Sequence, residues 1–202
     1  MQYIAAPWRG SYVRNVHKMT GCPLCRALKI KDARRSGILY RGRKAFVILN
    51  KFPYQPGHIM VAPIEHTAAF ERSPQDVSHE IIDLMRMSVD ILKKAYHPQG
   101  FNIGMNLGRS AGAGVADHYH IHVVPRWSGD SNFMPIVGRT RIVIEDLDAT
   151  FDRLYPLFSK KKGPPPRFPG INAVARSGLT LSLASRPHPK RRGEAEAKGS
   201  KS

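Results

Sequence analysis

His118-Tyr119-His120-Ile121-His122-Val123-Val124 places three imidazoles at alternate positions of a short apolar run. In an extended strand alternate side chains share a face. His118, His120 and His122 therefore line up about 6.6–6.8 Å apart, with Tyr119, Ile121 and Val123 turned toward a core. The chain holds nine histidines, and three of them on one sheet face within five residues are hard to justify by packing. The stretch implies a β-sheet with one buried face and one chemical face. Two chemistries suit that face: the rings ligate one metal, or one ring attacks phosphorus while its neighbours hold the phosphate.

Reading upstream, Gly108 to Gly114 is a glycine-rich loop whose backbone N–H groups suit an anion. Phe101 to Leu107 before it reads as a strand. Ala45 to Leu49 reads as a buried strand closed by Asn50, Pro56-Gly57 punctuates, and His58 to Ala62 reads as its antiparallel partner. Between these strands, Asp76 to Ala95 sets Val77, Ile81, Leu84, Met85, Ser88, Ile91, Leu92 and Ala95 on one helical face. Ser73-Pro74 supplies a start signal and His97-Pro98 a stop. Downstream, Pro125 ends the histidine strand, and Glu145 to Phe158 reads as a short closing helix. Hairpins packed on one long helix make an α+β fold.

The 202 residues suit one domain with tails, and 42% hydrophobic content excludes a wholly disordered chain. No apolar run approaches the roughly 20 residues that span a bilayer. Met1 to Tyr12 lacks the apolar centre of a secretory signal, so a cytoplasmic location is expected. The net charge of +17 is uneven. Residues 1–50 hold 11 basic and one acidic side chain, 51–158 hold 10 and 12, and 159–202 hold 11 and 2. An ordinary globular stretch thus lies between basic flanks. The expected boundaries are a basic N-terminal extension at 1–14, a catalytic domain at 15–158, and a basic, Pro-rich, disordered tail at 159–202. That tail has one apolar patch, Leu179 to Leu183. Its charge serves solubility, or a weak contact with RNA or another polyanion.

The order strand, Pro-Gly-His-Ile-Met-Val, helix, strand, glycine loop and His-Tyr-His-Ile-His-Val-Val resembles the histidine-triad (HIT) family of nucleotide hydrolases and transferases. The resemblance runs from Cys22 to about Trp127. It implies a five-stranded antiparallel sheet and a homodimer. It makes His120 the nucleophile that forms a nucleotidyl-imidazole, and His122 the partner of the α-phosphate. Asn50 and His58 match positions near base, ribose or phosphate. Asn106 matches the Asn that supports the phosphate and the reacting histidine, completing a catalytic set of His120, His122 and Asn106. Neutral imidazole is nucleophilic, and its N–H can be oriented by a carbonyl, here expected from Gly57 or a neighbour.

Cys22-Pro23-Leu24-Cys25 is a lone Cys-x-x-Cys, too weak by itself to name a redox or a zinc pair. The resemblance to bacterial HIT proteins implies structural zinc held by Cys22, Cys25, His66 and His118. The plainer alternative has His66 capping a helix and the cysteines simply buried. Trp127-Ser128-Gly129-Asp130-Ser131-Asn132-Phe133 is similar to the diadenosine tetraphosphate phosphorylase-like branch. Trp127 is then expected to stack on a purine, or to pack at a dimer edge, and Gly112 and Gly114 to meet the nucleotide. Gly114 is also a departure, because HIT enzymes commonly carry a polar side chain there. Arg109, Arg126, Arg139 and Arg141 are candidates to neutralise a polyphosphate. The implied activity is phosphorolysis of diadenosine tetraphosphate to ADP and ATP. Its rivals are hydrolysis of dinucleoside polyphosphates or nucleoside phosphoramidates, and a nucleotide-sensing module that docks on RNA without turnover.

Overall fold

The computed structural model describes residues 21–130 and 145–161, all within the first of the chain's two units, residues 1–167. The expected extension 1–14, residues 162–202 of the expected tail, Asn132, Phe133, Arg139 and Arg141 lie outside the described residues. Among those described, the elements are α1 (Pro23–Lys29), α2 (Ala33–Ser36), β1 (Ile38–Arg41), β2 (Ala45–Leu49) and β3 (Ile59–Pro63). A single 3-10 turn (Phe70–Arg72), α3 (Gln75–Tyr96), β4 (Gly100–Met105), β5 (Ile121–Arg126) and α4 (Leu147–Ser159) follow. The strands form one antiparallel sheet in the order β1-β2-β3-β5-β4.

β2 is buried along its whole length because helices cover both faces of the sheet. On one face Val47, Leu49, Ile59, Val61, Ile121 and Val123 pack against Ile81, Leu84 and Leu92 of α3 and against Phe151, Leu154 and Phe158 of α4. On the other, Ile38, Phe46, Ile48 and Ala62 pack against Leu24 and Ala27 of α1. The long helix forms where the apolar period predicts it. His97, in the left-handed conformation at φ 47, caps its C-terminus ahead of Pro98. Removing a buried side chain such as Leu84 would cost about 2–5 kcal/mol through lost transfer energy and the cavity left.

The strand boundaries differ from expectation in instructive ways. β4 stops at Met105 rather than Leu107. β5 begins at Ile121, not His118, and runs through Pro125 instead of ending there. The β3 ladder ends at Ile59 opposite Val123, so Pro125 pairs only with Phe101 of β4, and its missing N–H breaks no rung toward β3. The fifth strand is β1, whose register shifts between Ile38 and Tyr40. That shift disturbs the alternation by which a strand is read.

The turn joining β1 to β2 is locked by a buried carboxylate. Glu80 of α3 accepts hydrogen bonds from the backbone N–H groups of Lys44 (3.0 Å) and Ala45 (3.2 Å). A Cβ on Gly42 would lie 2.0 Å from Glu80 Oε1 and 2.8 Å from the Ala45 carbonyl oxygen. Gly42→Ala must therefore unseat the carboxylate or shift the turn. The expected cost is about 2–3 kcal/mol, the range for overpacking plus a disrupted buried hydrogen bond. A thermal melt checks this, and a midpoint unchanged by the methyl would mean that Glu80 is not seated against the turn in solution.

Candidate active site and metal cluster

The alternation of the histidine stretch survives even though its first three residues precede the ladder. Tyr119, Ile121 and Val123 enter the core beneath α3. His122 pairs with Met60, which packs with the α1-side cluster, so the histidines occupy that opposite face. Residues 118–120 are held by individual bonds instead of a sheet. The Tyr119 N–H donates to the Thr67 carbonyl at 2.9 Å, its hydroxyl meets Ser73 Oγ at 2.7 Å, and His118 Nε2–H donates to the Pro63 carbonyl at 2.9 Å.

His120 is buried, and its Nδ1–H donates to the backbone carbonyl of His118 at 3.0 Å. The orienting carbonyl is therefore that of His118, not that of Gly57 or a neighbour as expected. In an extended segment the residue two positions earlier lies on the same face and within reach. Burial pushes the His120 imidazole below its ordinary value, against the opposing effect of the carbonyl. With the proton on Nδ1, the lone pair is on Nε2, and no hydrogen bond from another described residue reaches that atom. A neutral ring with its Nε2 lone pair open has the chemistry of a nitrogen nucleophile.

A second chain of bonds fixes His122, whose ring centroid is 4.9 Å from that of His120. The Tyr54 backbone N–H donates to His58 Nδ1 at 2.9 Å, which places the His58 proton on Nε2. That Nε2–H points at His122 Nδ1, 3.0 Å away, so His122 carries its own proton on Nε2. The result is an N–H donor beside the His120 ring, an arrangement able to bind an anionic oxygen there. Asn50 shapes the loop behind this relay. Its Oδ1 accepts from the Phe52 N–H at 2.9 Å, and its backbone N–H donates to the His58 carbonyl at 3.1 Å. Its Nδ2 lies 3.4 Å from His58 Nδ1 and 3.2 Å from His58 Nε2.

The other expected nucleotide contacts divide. Asn106 follows Met105, which pairs with Ile121, so it comes level with His120, and its Nδ2 donates to the Gly112 carbonyl at 3.4 Å. In the glycine loop, the amides of Gly112 and Ala113 donate back to the carbonyls of Arg109 (2.9 Å) and Gly108 (3.2 Å). These two N–H groups are spent inside the loop instead of lining an anion cradle. Gly114 stays half-buried and Arg109 exposed in the same loop. Trp127 follows β5 directly, five residues beyond His122, and its backbone N–H donates to Asp130 Oδ2 at 3.1 Å. Arg126 faces Asp130, with Nε at 2.5 Å and Nη2 at 2.6 Å, and donates to Asn102. Its charge is matched within the fold. Residue-level reading missed Tyr54. A Pro-bounded loop carrying Phe52 and Tyr54 beside the Pro-Gly-His turn was the available signal.

Cys22, Cys25, His66 and His118 bring one ligand atom each within 4.8 Å of one another. His118 Nδ1 lies 3.4 Å from Cys22 Sγ, 3.5 Å from Cys25 Sγ and 3.3 Å from His66 Nδ1, and Cys25 Sγ is 3.3 Å from His66 Nδ1. Four ligands at zinc bond lengths of about 2.0–2.3 Å have edges of about 3.3–3.8 Å in a tetrahedron. The His118 Nε2–H bond to Pro63 leaves the Nδ1 lone pair for the cluster, the usual outer-shell arrangement of a metal-bound histidine. Burial and the neighbouring Cys22 push the Cys25 thiol up, so two thiolates here call for a cation between them. The donor set fits zinc.

The HIT domain family matches residues 32–129. An AP-4-A phosphorylase of Mycobacterium tuberculosis is 40% identical over 106 residues, which cover 52% of this chain and 54% of that protein. An uncharacterized HIT-like protein of Saccharolobus solfataricus is 36% identical over 112 residues, covering 55% and 80%. Among solved structures, a Zn-bound histidine triad family protein from Mycobacterium smegmatis superposes with a TM-score of 0.55 at 23% identity, over 69% of this chain and 94% of that one. The chain thus spans about half the length of the phosphorylase it matches. Among the described residues, no helix is long and apolar enough to cross a membrane.

Proposed function

The chain belongs to the histidine-triad (HIT) family, and we propose that it transfers a nucleotidyl group from a dinucleoside polyphosphate through a covalent nucleotidyl-His120. The preferred reaction is phosphorolysis of diadenosine tetraphosphate to ADP and ATP. The observation that carries this reading is His120 itself, with Nδ1–H on a carbonyl, Nε2 open, and the His122 donor alongside. The 40% identity to an AP-4-A phosphorylase of M. tuberculosis supports the substrate class.

His120 Nε2 attacks the α-phosphorus, forming a P–N bond as the P–O bond to the leaving ATP breaks and its electron pair departs with that oxygen. The ring becomes cationic, and the Nδ1–H bond to His118 O strengthens as it does. His122 Nε2–H donates to a phosphate oxygen, and Asn106 stands level with the reacting ring to support it. An oxygen of inorganic phosphate then attacks the same phosphorus, the P–N bond breaks, and ADP leaves with the nitrogen lone pair restored. Cys22, Cys25, His66 and His118 would hold the zinc. A closed four-ligand site supplies anchoring and no open position for a reacting group.

The same reading includes a homodimer, for which β4 offers an edge strand with Ile103 half exposed. It also includes weak polyanion contact by the basic flanks. Incubation with diadenosine tetraphosphate, with and without phosphate, tests the reaction by product chromatography. ADP with ATP in the presence of phosphate is expected. AMP with ATP in either case would make the chain a hydrolase, and binding without any product would make it a nucleotide sensor.

A further inference from the structure

The loop from Asn50 to His58 carries an aromatic side chain that the chemistry above leaves unused. Tyr54 contributes only its backbone N–H to the relay. Its ring centroid lies 4.8 Å from that of His58 at a 31° tilt, and 6.0 Å from that of His122. One side of the ring thus rests on His58, while 52% of the residue remains exposed. The backbone beneath it is already ordered by the bond to His58, and the loop closes through Asn50. An aromatic plane fixed this way loses little further freedom when something stacks on it. His122 stands next to both rings, 4.9 Å from His120 and 6.0 Å from Tyr54.

Resting on the reaction proposed above, we infer that Tyr54 is a stacking platform for the nucleobase of the departing nucleotide. In-line displacement sends the leaving oxygen away from His120 Nε2. The phosphate donor His122 and then Tyr54 come next on the relay side of the nucleophile, so a departing chain of phosphates that passes His122 brings its terminal nucleoside toward the Tyr54 ring. Stacking on an aromatic side chain tolerates any base, because every base has a π-face. The platform therefore sets preference for a dinucleotide over a mononucleotide, and little preference among bases.

The test is the ratio of kcat/KM for diadenosine tetraphosphate to that for adenosine tetraphosphate, which lacks the second nucleoside. For the wild type the ratio should favour the dinucleotide. Tyr54→Ala should lower the ratio roughly ten- to a hundredfold, the range of a lost base stack. Tyr54→Phe should restore it, and Tyr54→Leu should not. A ratio unchanged in Tyr54→Ala, whether both substrates weaken together or neither does, overturns the inference while leaving the reaction standing. A parallel binding measurement with the non-hydrolysable methylene analogue of diadenosine tetraphosphate separates the two readings. If the wild type neither turns over nor binds dinucleotide, the reaction falls and the platform falls with it.

Discussion

Replacing His120 by alanine or glycine is expected to lower turnover of a dinucleoside polyphosphate by three or more orders of magnitude, the scale on which loss of a covalent nucleophile is felt. The size follows from the geometry. His122 is committed through its Nδ1 to the His58 relay, and His118 turns its Nδ1 into the cysteine cluster, so neither neighbour can take over the attack. The folded state should survive, since the bonds that tie this segment down belong to His118 and Tyr119. Steady-state rates on purified variants, with circular dichroism and metal analysis as controls, measure the effect. Intact mass after rapid acid-free quenching should show one nucleoside monophosphate added to wild type and none to the variant. A variant retaining a tenth of wild-type activity would take His120 out of the role.

Loss of the metal cluster should be the largest effect on stability. Protein purified without chelator is expected to carry about one zinc per chain, and Cys22→Ser to lose most of it. Structural zinc sites in isolated fingers bind with about 10–16 kcal/mol, and even a third of that is worth roughly 10 °C of melting midpoint in a domain of this size. The cluster ties Cys22 and α1 to the loop at His66 and to the segment at His118, three regions far apart in sequence. Calorimetry of wild type before and after chelation, beside Cys22→Ser, measures the contribution. Metal-free wild type melting with the loaded protein would show that the four side chains meet without holding a cation.

The period of two in the histidine stretch was legible because it reports side-chain direction, and direction is kept in residues 118–120 even where no ladder forms. The long helix was equally plain, with a full apolar face and stop signals at His97 and Pro98. β1 escaped because it is four residues long and its register shifts at Ile38. α1 escaped because seven residues with two buried side chains show no period. The four cluster residues came only by resemblance: nothing in a lone Cys-x-x-Cys says which distant histidines will meet it. The expectation for Trp127 likewise rests on resemblance, because the Trp-x-Gly-Asp run carries no period that tells which way its ring faces. For the relay through Tyr54 the sequence offers only a Pro-bounded aromatic loop as a signal, since the working group is a backbone N–H.

His118 has a consequence for anyone who would transplant this chemistry. One side chain faces the cluster, its other ring nitrogen anchors to Pro63, and its carbonyl sets the proton on the nucleophile. A seven-residue cassette spliced into a foreign sheet would carry the rings but not their aim. The smallest portable unit is discontinuous: the histidine stretch, the Pro63 to Thr67 corner, and the helix that presents the two thiols. Chains that diverge from this one are bound by the same parcel. A lineage could shed the cysteines only by refilling their volume with another prop for residue 118, because the same backbone oxygen must still accept the His120 Nδ1–H bond.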